Sequence, residues 1–159
     1  MTDDRPNGSN SILVWIYIGS ALFLVALLVS AIVVPGLRFL HSFQALIYVA
    51  VIVLARRNSA WGYGAGFSIA VVWNAMGLFL THLIERGAAA FVASLRTGHV
   101  QDLVPMMVTL GGIGHFILIA AALTAIIRST EKKSWWKFAG GGVLAVAYLA
   151  LIVSFSHPR

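Results

Sequence analysis

The chain has 159 residues, 60% of them hydrophobic and 10% charged, with a mean hydropathy of +0.91, whereas a soluble domain carries roughly 25% charged residues. So short a chain has too little interior to hide that much apolar surface from water, so the expected class is all-α, a polytopic integral membrane protein built as a bundle of five transmembrane helices. The net charge of +6 does not mark nucleic-acid binding, because Lys and Arg fall in short connections that face lipid headgroups and form no basic stripe interleaved with aromatics.

Residues 1–11 read as a polar cytoplasmic tail. Its start, "MTDDRPNGSNS", is acidic and lacks the basic opening of a cleavable signal peptide. The apolar run that follows is too long for one, so it is expected to stay as a helix. A span needs about 20 mostly apolar residues, and five runs qualify: 12–34, 37–55, 61–84, 104–127 and 136–155. Together, residues 12–157 are expected to form a single membrane domain. Each run is helical because lipid cannot satisfy bare backbone groups. Pro105 falls in a first turn, where proline is tolerated. The long connection from Glu85 to Leu103 carries Phe91, Val92 and Leu95 at helical spacing, which suits either a helix lying on the membrane surface or a loop. The other links are short and imply antiparallel packing of sequence neighbours.

Orientation follows from the basic residues. Arg5, Arg56, Arg57, Arg128, Lys132, Lys133 and Lys137 fall on one side, and Arg38, Arg86, Arg96 and Arg159 on the other. The excess places the N-terminus in the cytoplasm and the C-terminus outside. Trp15, Tyr17, Trp61, Tyr63, Trp135 and Trp136 mark the cytoplasmic interface. The expected location is a cell membrane crossed several times, a bacterial inner membrane.

Span length also sets depth. His115, Asn74, Tyr48 and Tyr148 come from four different spans and fall at one level near the midplane. On the third span Gly66, Ala70, Asn74, Gly77 and Thr81 share a face; on the fourth, Gly111, His115 and Ala122 do, with Gly112 alongside. Stripes of small residues let backbones approach in lipid and polar groups bond across the gap. Gly62, Gly66, Gly77, Gly111 and Gly112 are therefore expected packing positions, and His115 is expected to face inward and bond Asn74, Tyr48 or Tyr148. That cluster serves either as interhelical glue or as a proton-relay or ligand site, since ionisable groups in a membrane are functional candidates.

Four further histidines, His41, His82, His99 and His157, fall on the outer side. Without cysteine, imidazole and carboxylate are the transition-metal ligands left, and His82 and Glu85 share a helical face. His41 and His82 are also at compatible depths for a single haem b. The glycine-rich "GYGAG" and "GGIG" sit inside spans and lack the setting of a phosphate loop. Neither G-x-S-x-G nor H-E-x-x-H occurs. No carboxylate lies inside a span, which excludes a cation pump built on intramembrane Asp or Glu. Three functions remain open: an accessory or structural subunit of a membrane assembly, partnered by other subunits or by its own copies and needing no cofactor; a small-solute or proton-linked carrier centred on His115 and Asn74; and a haem- or metal-binding electron-transfer protein using His41, His82 and Glu85.

Overall fold

The computed structural model describes residues 7–100, 103–129 and 134–156, with side chains from residue 11 onward. Among them are α1 (Asn7–Val33), α2 (Arg38–Arg56), α3 (Ala60–Ala75), α4 (Leu83–Thr97), α5 (Leu103–Ile127) and α6 (Ser134–Ser156), and no strand. Five segments are long and apolar enough to cross a membrane, namely Ser11–Val33, Pro35–Arg56, Ala60–Leu80, Leu103–Ile127 and Ser134–Ser156. Their outward faces carry large apolar side chains such as Ile32, Phe79, Phe155 and Trp136, each more than 70% exposed, a surface that only an apolar solvent tolerates. The protein is a five-span helical membrane bundle. Arg5, Lys132, Lys133, His157 and Arg159, used above for orientation or as outer-side histidines, lie outside the described residues, as does most of the tail.

The links explain where helices stop. Pro35 opens a single 3₁₀ turn to Leu37 that reverses the chain between α1 and α2. Asn58, at φ 51°, takes the left-handed conformation that asparagine tolerates, and its Oδ1 accepts a hydrogen bond from the Tyr63 hydroxyl at 3.3 Å. Tyr63 is buried against the bundle in the first turn of α3. The third span ends sooner than its apolar pattern suggests. Helix α3 passes into a π segment, Met76–Leu80, closed by the Thr81 amide donating to the Met76 carbonyl at 3.0 Å. His82 then turns left-handed at φ 51°, so Leu83 and Ile84, read from sequence as the end of the span, start α4 instead. Arg86 donates back to the Thr81 carbonyl across this corner.

Helix α4 settles the long connection as a helix. Gly87 and Ser94 are its buried face, while Phe91, Val92 and Leu95 are exposed, as suits a helix lying on a membrane surface. Gly87 gives α5 its approach: a Cβ there would stand 2.8 Å from the Pro105 carbonyl.

In the bundle, α1 packs most extensively on α5, α3 lies against α5, α2 and α6, and α2 lies against α1 and α3. The expectation that sequence neighbours pack holds for α1–α2 and α2–α3 but fails for α5–α6. The ends of that link are tied by Ser129 and Ser134, whose hydroxyls are 2.8 Å apart, yet α6 then turns onto α3 and barely touches α5. The reason lies in its glycines. Gly141 lies against the Trp61 carbonyl, and Gly64 of α3 lies against the Phe138 carbonyl, so closely that neither position has room for a Cβ. The Gly140–Gly142 run therefore serves close contact with α3. Helix α5 runs unbroken through its own glycines.

Candidate functional site

His115 sits on α5 with no solvent exposure, and three other helices supply its surroundings. The Tyr48 hydroxyl of α2 is 2.6 Å from Nε2, and Oδ1 of Asn74 on α3 is 3.3 Å from Nδ1. One tautomer satisfies both contacts: Tyr48 donates to Nε2, and Nδ1–H donates to Asn74. Phe23 of α1 stacks on the imidazole with centroids 3.7 Å apart and planes at 20°. Trp73 meets the ring edge-on at 4.9 Å and 71° and meets Phe23 the same way at 5.0 Å and 80°. Both ring nitrogens are thus used, and the ring is walled by aromatics. None of these partners is charged.

Close helix approach makes this box possible. Gly19 and Gly114 face one another across α1 and α5, and a Cβ on either would fall 2.7 Å from the other's carbonyl oxygen. One turn further along α5, Gly111 leaves room for Phe23, whose ring would be 2.8 Å from a Cβ there. The expected packing positions Gly62, Gly66 and Gly77 also meet neighbours, at Leu54, Val51 and Ile84. Gly112 is buried as well, but no neighbour lies within 4 Å of where its Cβ would stand.

The expected four-residue cluster becomes a trio. Tyr148 does not join it; its hydroxyl donates to the Phe43 carbonyl at 3.2 Å, because α6 packs on α3 and leaves α5. Phe23 and Trp73 complete the box and went unread in the sequence. A signal for Phe23 existed, since Gly19, Phe23, Ala26 and Ser30 recur at helical spacing on α1 and line its buried face. Two polar atoms nearby are buried without a hydrogen-bond partner among the described residues, Nδ2 of Asn74 and Oγ of Ser20.

At the α4 end of the bundle the histidines are arranged differently. His82 Nδ1 is 3.2 Å from a Glu85 carboxylate oxygen, and both side chains are more than 60% exposed. His99 is exposed. His41 lines a cavity of about 140 Å³ together with Phe23, Ser30, Trp73, Leu83 and Met107, and its Nδ1 is buried with no partner among the described residues. No three metal-ligating side chains converge among those residues. The cavity is well below the roughly 300 Å³ at which ligand pockets begin, so His41 and His82 do not frame a space for a haem macrocycle.

A second hollow, of about 330 Å³, opens to the bilayer between α2, α3 and α6 and is lined by Leu46, Leu54, Trp61, Ala65, Leu144 and Tyr148.

Comparison with protein-family models, with curated proteins and with solved structures gives no match. The functional reading therefore rests on geometry.

Proposed function

We propose that this chain is an accessory subunit of a membrane assembly, seated in a cell membrane with the start of α1 on the cytoplasmic side, and that its central polar residues hold helices together without performing chemistry. One observation carries the reading: His115 has both ring nitrogens hydrogen-bonded and its ring walled by Phe23 and Trp73. A carrier site needs space for cargo beside its polar groups, and a relay needs a partner able to take up the proton; Tyr48 and Asn74 supply neither. The open hollow between α2, α3 and α6 supports the partner half of the reading, since small and aromatic residues together suit a neighbouring helix.

Affinity purification of the chain from its own membranes in mild detergent tests this. The expected result is recovery of larger membrane subunits in fixed ratio, with His115→Phe lowering thermal stability. Recovery of the chain alone, or selective loss of solute flux in a folded His115→Phe protein, would overturn it; the second outcome would favour the carrier.

A further inference from the structure

We propose that the cavity beside His41 is a hydrated vestibule that admits small water-soluble molecules from the membrane face at the α4 end as far as the Phe23–Trp73 pair, which separates it from His115. The cavity is partly enclosed: α1, α2, α3, α4 and α5 and the 3₁₀ turn all contribute to its wall. At about 140 Å³ it has room for about four waters at roughly 30 Å³ each. Its content is dictated by His41. A buried polar nitrogen takes a hydrogen-bond partner, the protein offers Nδ1 none among the described residues, and an acyl chain has none to give. Ser30, on the opposite wall from α2, adds a hydroxyl. The hollow between α2, α3 and α6 differs in kind, since it opens to lipid and, among the described residues, its lining leaves no buried polar atom unpartnered. The floor of the vestibule is built from the side chains that wall His115, so a ligand bound there presses on the central box without touching the imidazole.

The chain has no cysteine, so a single introduced thiol reports its own surroundings. In membranes opened by freezing and thawing, the probe is aminoethyl methanethiosulfonate in water, applied to Ser30→Cys, to the lipid-facing Leu28→Cys on the same helix, and to the exposed His99→Cys as reference. Because the reagent reacts with thiolate, which hydrocarbon suppresses, Ser30→Cys should react within about tenfold of the reference and Leu28→Cys about a hundredfold more slowly. Adding Ala26→Leu, which fills the cavity, should slow the Ser30→Cys reaction about tenfold. A Ser30→Cys protein that elutes as a single folded species yet reacts no faster than Leu28→Cys means a dry cavity and overturns the proposal. Equal labelling with and without Ala26→Leu does the same, because the thiol is then reached by another route.

Discussion

His115 and His41 both lie inside membrane-spanning segments, on helices that share one core, and they are solvated in opposite ways. Around the His115 ring the protein itself supplies the partners: a hydroxyl and an amide oxygen take the ring nitrogens, and two aromatics wall the ring. Around His41 the packing stops short, leaving a cavity and a nitrogen without a partner among the described residues. The difference follows from backbone distance. At the middle, Gly19 and Gly114 bring α1 and α5 together until backbone faces backbone, and side chains one turn away fill what remains. Toward the α4 end α1 offers Ala26 and Ser30, α5 begins at a proline-containing turn, and α3 has given way to its π segment, so the same helices no longer close the gap. A histidine in a membrane protein is therefore read from the glycines beside it, and depth alone does not tell the two kinds apart.

Substitutions along this gradient should differ in cost, and reversible unfolding in mixed micelles can rank them. Gly114→Val forces a branched side chain against the Gly19 carbonyl, and should cost about 4–5 kcal/mol, enough to remove most folded protein. His115→Ala leaves Tyr48 and Asn74 without a partner and a void beside Phe23, and should cost about 3 kcal/mol. Tyr48→Phe removes one hydroxyl and leaves Nε2 unpaired, for about 1–2 kcal/mol. Tyr148→Phe, on α6 and away from the box, should cost about 0.5 kcal/mol. Smallest of all, His41→Leu breaks no protein hydrogen bond at Nδ1 and should stay within about 0.5 kcal/mol of the parent. A His41→Leu loss as large as that of Tyr48→Phe would erase the contrast between the two sites, and a Tyr148→Phe loss of that size would return Tyr148 to the cluster.

Much of this was legible in the sequence. Hydrocarbon thickness acting on apolar runs gave the five spans and nearly all of their ends, and the small-residue stripes turned His115 and Asn74 inward. What escaped was set by tertiary contact. Tyr148 was placed by depth, but which helix α6 leans on depends on Gly64 and Gly141 meeting backbone, a pairing no periodicity encodes. Phe23 and Trp73 escaped because an aromatic on an apolar helix faces lipid as readily as core. The early end of the third span was hidden because Met76–Ile84 stays apolar through the corner, and a left-handed His82 has no compositional mark. Phe91, Val92 and Leu95 had the right spacing for α4, and the open choice between helix and loop resolves to helix.

The π segment at Met76–Leu80 holds one residue more than an α-helix needs for the same rise. Removing one of those five would let the segment relax into ordinary α geometry with the corner at Thr81 and His82 held in nearly the same place. The surplus residue is thus a slack link, whose loss should alter only the side-chain pattern of the segment itself and spare both the midplane box and the start of α4.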